Sequence, residues 1–503
     1  MTESWIGYAV VGLLGYLTYK IYIYPYYLSP TRRIPGPPPE NYFLGNLIKI
    51  AKEEPGEPYL EWAKKYGNIV CYHNVANRPF VSITDPKNLH KILVSNAYDF
   101  IKPPQLSTDL KAIMGNGILM AEGNVHKRQR KMMNSAFSFS NVKEMIPSFV
   151  RVGRQLEKIW RSQIDDKEKK IIISPWLTKA TMDIIGLIGF GCEFNNLDSK
   201  NDIVLAYETL FSSKRTLLDI AITQLVSFFP KVRRLPLPRN IVIRGAIKII
   251  EDKSKTLVKE RKQLFRQGKN LSSKDLLSSL ISINEELPVE EKMSDLELQY
   301  QIMTFLVAGH ETTSSALSFI LYFLAQNPDV QDHLRKELCD AFPDPDFIPS
   351  FDNLNSLEYL SCVIKESMRI APSVPIILRA PNEDHIFGEY VIPKHTPIVI
   401  PIAAIHKLPA IWGEDAEEFK PERWLNPNIS SEINNLNYLP FSTGPRSCIG
   451  NRMAMAEIKT LLSILIRRFR FRKVDGFKFR KRLAIASRPN PAIELMVSVV
   501  ESA

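Results

Sequence analysis

The chain opens with an almost uninterrupted apolar stretch. No charged residue lies between Trp5 and Tyr19, and apart from one lysine the apolar character continues to Leu28. This length matches the ~20 residues that a helix needs to cross a bilayer. Arg32 follows the stretch, which by the positive-inside rule places the remaining chain in the cytosol. We predict a retained membrane anchor over residues 1–30, because the flanks lack the basic segment and small-residue cleavage site of a signal peptide.

A proline-rich segment follows this anchor. Residues 34–39 read Ile-Pro-Gly-Pro-Pro-Pro. Proline fixes φ and lacks a backbone N–H, so the segment cannot continue a helix and forms a stiff, extended spacer. We assign residues 31–45 to a hinge and residues 46–503 to a catalytic domain, in which we find no further linker, internal repeat or low-complexity segment.

Beyond the hinge, the hydrophobic pattern predicts short strands and one very long helix. Residues 69–83 and 386–402 are rich in β-branched and aromatic residues, and turn-forming residues interrupt each segment once. The long helix is predicted to begin at a capping box formed by Ser294 and Glu297 and to end before Pro328. Because it is apolar on nearly every side, we expect it to be buried.

Most of the remaining chain has helical periodicity. Two further helices are predicted over about residues 357–371 and 451–469, the first ending before a proline. The chain has 503 residues, 45% of them hydrophobic, which is enough for a large core. The predicted fold class is therefore mainly α with small β-sheets, an α+β fold.

Composition narrows the possible partners. Lys and Arg total 65 against 54 Asp and Glu, and the net charge of +11 favours anionic neighbours such as lipid headgroups or an acidic protein. We expect no nucleic acid partner, because the basic residues are dispersed and no zinc-ligand spacing occurs. The five cysteines show no paired spacing, which argues against a disulfide framework. Four of them are expected to be small buried side chains, namely Cys71, Cys192, Cys339 and Cys362.

The fifth cysteine, Cys448, lies in a loop that favours chemistry at sulfur. Residues 441–450 read Phe-Ser-Thr-Gly-Pro-Arg-Ser-Cys-Ile-Gly and directly precede a predicted helix. The helix N-terminus and the nearby Arg446 both favour a thiolate, so we expect a lowered pKa for Cys448. Gly444 and Gly450 would allow the backbone to approach a flat ligand, which a Cβ would block. Such a thiolate can act either as a nucleophile or as an iron ligand.

This loop carries a resemblance to a known family. The pattern F-x-x-G-x-R-x-C-x-G, read at Phe441, Gly444, Arg446, Cys448 and Gly450, resembles the haem-binding signature of the cytochrome P-450 family. The resemblance covers the chain from the hinge to the helix after the cysteine. It implies the cytochrome P-450 fold with one N-terminal transmembrane helix, haem b (iron protoporphyrin IX) as cofactor, and Cys448 as the axial iron ligand. A thiolate ligand favours cleavage of the O–O bond.

Small and polar residues interrupt the long predicted helix at its centre, where residues 308–314 read Ala-Gly-His-Glu-Thr-Thr-Ser. A glycine inside a helix costs about 1 kcal/mol relative to alanine, so it needs either a functional reason or a close helix crossing. The segment is similar to the family's oxygen-binding groove. That similarity implies catalytic roles for Glu311 as the source of protons and for Thr312 as the hydrogen-bonding group on the oxygen side. His310 is expected to be a local packing residue.

Other charged residues resemble the family's supporting groups. Glu366 and Arg369 share a helix face, and with Arg423 they resemble a buried network that retains the haem. The resemblance implies four propionate-binding residues, namely His126, Arg130, Arg379 and Arg446. His126 departs from the family pattern, in which a tryptophan usually occupies this position.

The resemblance implies a monooxygenase that inserts one atom of O2 into a lipophilic substrate. Its electrons would come from NADPH through a flavoprotein, the NADPH-cytochrome reductase, and the enzyme would lie in the endoplasmic reticulum membrane with its catalytic domain facing the cytosol. The reductase is expected to bind a basic surface containing Lys127, Arg128, Lys131 and Arg452.

Further expectations concern the substrate and the membrane. The substrate pocket is expected to be lined by Phe305, Ala308, Val374 and Ile377. Residues 228–234, which combine phenylalanines with basic residues, are predicted to form a second membrane contact. Two other functions stay open: a reductase-independent isomerase or dehydratase acting on lipid hydroperoxides, and a non-catalytic haem sensor.

Overall fold

The computed structural model of the chain describes residues 2–164, 168–199, 201–210, 235–267, 275–344 and 346–500. The chain divides into two compact units, each assembled from three separated segments. The first unit contains Met1–Pro104, Pro375–Glu417 and Ile433–Ser447. The second unit contains Gln105–Val374, Glu418–Glu432 and Cys448–Ala503. The prediction of one catalytic domain over residues 46–503 stays a prediction.

Helices make up most of the described structure. In chain order they are α1 (Thr2–Thr18), α2 (Leu47–Lys52), α3 (Glu57–Tyr66), α4 (Pro86–His90), α5 (Pro104–Met114), α6 (Gly123–Ala136), α7 (Phe139–Gln163), α8 (Ile173–Phe190), α9 (Asp202–Leu210), α10 (Pro238–Arg266), α11 (Leu276–Glu286), α12 (Asp295–Gln326), α13 (Pro328–Ala341), α14 (Phe351–Ser356), α15 (Glu358–Ile370), α16 (Ile402–Ile405), α17 (Pro409–Trp412), α18 (Pro427–Ser430) and α19 (Asn451–Arg468).

The strands form small sheets. They are β1 (Ile69–His73), β2 (Pro79–Ile83), β3 (Phe100–Ile101), β4 (Lys169–Ile172), β5 (Ile377–Pro381), β6 (His385–Phe387), β7 (Tyr390–Ile392), β8 (Ile398–Ile400), β9 (Phe469–Lys473), β10 (Arg480–Leu483), β11 (Ser487–Asn490) and β12 (Glu494–Val499). The first unit contains a five-stranded sheet, β1-β2-β8-β5-β3, and the pair β6-β7. The second contains a three-stranded sheet, β4-β12-β9, and the pair β10-β11. The predicted fold class, mainly helical with small sheets, is confirmed.

Strand β8 shows how the first unit forms its core. Its side chains alternate between two hydrophobic clusters: Ile398 and Ile400 pack with Ile83, whereas Val399 packs with Trp62 of α3. Successive side chains of a strand point to opposite faces, so a sheet covered on both sides needs an uninterrupted apolar strand. This explains why β8 lacks the alternation of polar and apolar residues that marks a strand with one face in water.

In the second unit, α12 is the long helix that the sequence predicts. It has 32 residues, and its first turn carries the expected capping box: the Glu297 N–H donates to Ser294 Oγ at 3.2 Å, and the Ser294 N–H donates to Glu297 Oε2 at 3.0 Å. The helix ends at Gln326, just before Pro328, and most of its side chains are buried. The predicted start, end and burial of this helix are confirmed.

The glycine at the centre of α12 has a packing role. A Cβ on Gly309 would lie 2.8 Å from Cδ1 of Ile185 on α8, so a larger residue would force the two helices apart. Close helix crossing, one of the two reasons considered for a glycine here, therefore explains Gly309.

The N-terminal helix α1 continues directly into π-helical turns over Tyr19–Leu28. Several large apolar side chains of α1 are exposed, including Tyr8, Val11, Leu13 and Leu14. Among the residues that the structure describes, no helix is both long enough and apolar enough to cross a membrane. The second membrane contact predicted at residues 228–234 lies outside the described residues.

All five cysteines are free thiols. Cys71 and Cys362 are buried as expected, but Cys192 is half-buried and Cys339 is exposed, so the expectation of burial is wrong for these two. Cys339 lies on the solvent side of the amphipathic helix α13, next to the buried Leu338.

The capping box at the start of α12 predicts a measurable loss of stability in Ser294→Ala. The variant removes the side-chain acceptor of an N-terminal N–H, so we expect the free energy of unfolding to fall by about 1 kcal/mol. Urea unfolding followed by circular dichroism measures this change. The control is Ser294→Thr, which keeps the acceptor; an equal loss in both variants would contradict the role of the cap.

Candidate functional site

The middle of α12 exposes a narrow strip of an otherwise buried helix. Ala308, Gly309 and Thr312 are partly accessible, whereas the residues on either side of them are buried. Positions 308 and 312 are one helical turn apart and lie on the same face. Thr312 Oγ1 donates a hydrogen bond to the Ala308 carbonyl oxygen at 2.8 Å, which satisfies the hydroxyl proton locally. An accessible hydroxyl in a buried helix provides a polar group at which a small reactant can be held.

Glu311, the residue before Thr312, is almost completely buried, with 2% of its surface exposed. Its carboxylate forms an ion pair with Arg488 of β11. Arg488 Nε donates to Glu311 Oε2 at 2.9 Å, and Arg488 Nη2 contacts Oε1. No sequence signal singles out Arg488, because a single arginine in a short strand forms no recognisable motif.

His310 is a local packing residue, as the sequence predicts. Its Nδ1 hydrogen-bonds to the Leu306 carbonyl oxygen one turn earlier, and its ring meets Tyr207 edge to face at a centroid distance of 5.9 Å. Burial is the main reason that the pKa of His310 is lowered to about 4; the positive charge of Arg488 acts in the same direction and the hydrogen bond to Leu306 acts against it. The imidazole is therefore neutral at physiological pH.

Cys448 lies just before α19 and its side chain is accessible, although enough protein surrounds the sulfur to desolvate it. Burial raises the pKa of the thiol; the Gly450 backbone N–H and the charge of Arg130 act in the opposite direction. The expectation of a lowered pKa is wrong, because desolvation outweighs both favourable contributions. The cation acting on the sulfur in this unit is Arg130 of α6.

Helix α6 carries two predicted haem-binding residues one turn apart. His126 is buried, with 3% of its surface exposed, so it is not a solvated surface residue. Arg130 Nε donates to Asn134 Oδ1 at 3.1 Å on the same helix. The structure thus brings Arg130 and Cys448 into one electrostatic environment within the second unit.

The remaining predicted haem-binding residues lie in the first unit. The Arg446 guanidinium lies 5.0 Å from the ring centroid of Tyr98, and Arg379 Nη1 donates to the Leu378 carbonyl oxygen at 2.9 Å. Arg379 is buried and Phe441 is half-buried.

Gly444 is required by packing inside the first unit. Its φ of +75° falls in the left-handed region, and a Cβ would lie 1.9 Å from the Leu93 carbonyl oxygen in the π-helical turn Lys91–Ser95. The expectation that this glycine makes room for a flat ligand is therefore not needed to explain it. At Gly450 the situation differs, because a Cβ would meet only ordinary contacts at 3.9 Å.

The buried charge network predicted around Glu366 is present in the second unit. Arg369 donates to both carboxylate oxygens of Glu366, at 2.9 and 2.8 Å, and Arg423 approaches the same carboxylate at 3.4 Å. Trp424 Nε1 and the Lys420 backbone N–H add hydrogen bonds of 3.0 and 2.9 Å. Glu366 and Arg369 have no exposed surface. The network joins α15 to the 3-10 turn Pro421–Leu425.

Two residues of the predicted reductase-binding surface already have acidic partners. Arg128 contacts Glu297 of the α12 capping box and the Lys292 carbonyl oxygen, and Lys131 pairs with Glu291 at 3.0 Å. Their charges are thereby partly neutralised. Arg128 in particular joins α6 to the start of α12, which is a structural role.

The residues of the second unit fit a haem ligated through sulfur. Iron ligation requires a free cysteine, which Cys448 provides, and a cation that favours the thiolate, which Arg130 provides. A Cβ at Gly450 would meet no side chain closer than 3.9 Å, so a flat ring could approach the backbone there. Cys448 would hold the iron, which when bound would supply activation of dioxygen.

Comparison with known proteins agrees with this chemistry. The family model for cytochrome P450 matches residues 35–495. The chain therefore belongs to the cytochrome P450 family, whose members hold haem through a cysteine thiolate, and it is a monooxygenase of that family.

Its relatives include several fungal enzymes. The chain is 34% identical to cytochrome P450 monooxygenase sphH of Aspergillus fumigatus, over 90% of this chain and 86% of the relative. It is 36% identical to cytochrome P450 monooxygenase 205 of Postia placenta, over 92% of this chain and 90% of the relative. It is 30% identical to cytochrome P450 monooxygenase FUM15 of Gibberella moniliformis, over 92% and 86%.

The Glu366 network predicts that Glu366→Ala will severely destabilise the protein. The substitution leaves buried guanidinium groups without their carboxylate, at a cost of about 3–5 kcal/mol. We expect a large fall in soluble yield and a lower Tm, both measured on the purified protein. Glu358→Ala, which removes an exposed carboxylate from the same helix, is the matched control. Equal stability of the two variants would contradict this role.

Proposed function

We propose that this monooxygenase binds haem b and inserts one atom of O2 into a C–H bond of a lipophilic substrate. The observation that carries the proposal is that the free cysteine Cys448 and the pair Glu311 and Thr312 on α12 lie within one unit. The family resemblance assigns the propionates to His126, Arg130, Arg379 and Arg446. Phe305 and Ala308, which are apolar residues of α12, are our candidates for the pocket lining.

The proposed reaction consumes O2, NADPH and one proton for each substrate hydroxylated. One oxygen atom enters the substrate as a hydroxyl group, the other leaves as water, and NADPH is oxidised to NADP⁺. Two protons must reach dioxygen without admitting bulk water, which requires an internal proton path. Thr312 would position a proton at its hydroxyl, and Glu311 would exchange protons with it.

We further propose that the enzyme is held in the endoplasmic reticulum membrane by residues 1–30, with the catalytic domain in the cytosol. Support comes from the uncharged sequence between Trp5 and Tyr19 and from the exposed apolar side chains of α1. An NADPH-cytochrome reductase would deliver electrons to a basic surface that contains Lys127, Arg128, Lys131 and Arg452.

Replacement of the proposed iron ligand tests the haem assignment. In the reduced protein with carbon monoxide, we expect a strongly red-shifted Soret band, which Cys448→Ala will abolish because the thiolate is lost. Cys339→Ala, which removes an exposed cysteine distant from Cys448 in the sequence, should keep the band. Haem-loaded, folded parent protein without this band would show that the iron has another axial ligand.

The source of electrons separates the proposed function from its alternative. With NADPH and the flavoprotein reductase under carbon monoxide, we expect the red-shifted band to form, because electrons from NADPH would reach the haem iron, to which carbon monoxide then binds. A reductase-independent isomerase or dehydratase would instead consume linoleic acid hydroperoxide without NADPH. Hydroperoxide consumption without reduction by the reductase would overturn the monooxygenase proposal and support the alternative.

A further inference from the structure

The ion pair between Arg488 and Glu311 has a geometry that fixes the carboxylate. Two guanidinium nitrogens approach two different carboxylate oxygens, Nε to Oε2 at 2.9 Å and Nη2 to Oε1. A two-point contact of this kind determines both the charge and the orientation of a carboxylate. Glu311 is buried, whereas 27% of the Arg488 side chain remains exposed.

Of the two basic side chains beside Glu311, Arg488 carries the charge and is the counter-ion, because His310 is neutral. In the described part of the chain, His310 is the other basic group recorded close to this carboxylate, with Nε2 at 3.9 Å from Oε1. Its pKa, lowered by burial to about 4, leaves it uncharged at physiological pH. Burial lowers the pKa of Arg488 and the charge of Glu208 on α9 raises it, but an arginine keeps its proton under these conditions.

Strand β11 is joined to α12 next to the ion pair. Ser315 Oγ of α12 donates to the Ser487 carbonyl oxygen, and the Ser487 N–H donates to the Ser373 carbonyl oxygen at 2.7 Å. Ser373 Oγ in turn donates to the Thr312 carbonyl oxygen at 2.8 Å. These bonds lead from residue 315 of α12 through residues 487 and 373 back to residue 312 of the same helix. The position of Arg488 is therefore set by a connected set of hydrogen bonds that includes the backbone of Thr312.

Stability alone is a weak reason for such a pair. A buried ion pair often contributes little net stability, because removing two charges from water offsets most of their attraction. This pair also involves the carboxylate next to the accessible Thr312 hydroxyl, where proton movement is proposed. Orientation of a proton-transferring group is a purpose for which a rigid two-point contact is suited.

We propose that Arg488 is a positioning residue of the proton path: it holds Glu311 ionised and in one orientation, ready to take up a proton and pass it on toward the site at Thr312. This inference rests on the proposed monooxygenase function. It adds to that function a residue 177 positions away from Glu311 in sequence. The groups that face the pair are His310 of α12, beside the carboxylate, and Glu208 of α9, whose charge acts on Arg488; Tyr207 of α9 packs against His310.

Infrared spectroscopy of the full-length haem-loaded protein tests whether Arg488 keeps Glu311 ionised. Arg488→Met removes the charge but keeps an unbranched side chain, and a buried carboxylate without a counter-ion takes up a proton. We expect a protonated-carboxyl stretch at pH 7.5 that is absent from the parent, from Arg488→Lys and from the double variant Glu311→Gln/Arg488→Met. Arg480→Met, on the exposed neighbouring strand β10, is the matched control and should show no such band.

Kinetics test whether Arg488 orients Glu311 for proton transfer. An ion pair with a purely structural role would leave the rate of NADPH oxidation unchanged. With saturating reductase, we expect Arg488→Met to slow NADPH oxidation about tenfold or more, as expected for loss of an oriented proton-transferring group, and Arg488→Lys to restore part of the rate. In the Glu311→Gln background, the same substitution should produce no additional loss, because Arg488 acts through Glu311.

Three outcomes would overturn the inference. They are the absence of a new carboxyl band in Arg488→Met, a new band without any change in NADPH oxidation, and a full additional loss of rate in the Glu311→Gln background. A parent protein that does not oxidise NADPH with reductase would instead contradict the proposed function. The infrared result would then still decide whether Arg488 holds Glu311 as a carboxylate.

Discussion

The polar groups at the centre of α12 must find partners inside the protein, because most of this helix is shielded from water. Burying a hydroxyl or a carboxylate without a partner costs several kcal/mol at a low dielectric constant. Thr312 bonds to its own helix, His310 does the same, and Glu311 depends on a cation from β11. The position of the C-terminal strands is therefore tied to the requirements of one carboxylate.

Features that depend on neighbouring residues could be predicted from the sequence. The capping box at Ser294 follows from residues three apart, and the interruption between β1 and β2 follows from turn-forming residues. The Glu366 network could also be predicted, although two of its members are 57 positions apart in the sequence. Resemblance to a family, rather than periodicity, supplied that connection.

Features that depend on three-dimensional surroundings could not be predicted in this way. The pKa of Cys448 depends on how much protein surrounds the sulfur, and the sequence shows the helix N-terminus but not the desolvation. Gly444 was assigned to a ligand, yet its neighbour is the backbone of Leu93. Arg488 has no local signal at all, because its importance comes entirely from the distant residue that it contacts.

The distance in sequence between Glu311 and Arg488 has a consequence for protein synthesis. A ribosome that has released α12 has not yet made β11, so during the intervening 177 residues the carboxylate has no arginine to neutralise it. A carboxylate in that state stays hydrated or protonated, and either condition opposes tight burial of the middle of α12. The nascent second unit would therefore keep this part of the helix loosely packed until nearly the whole chain has been translated.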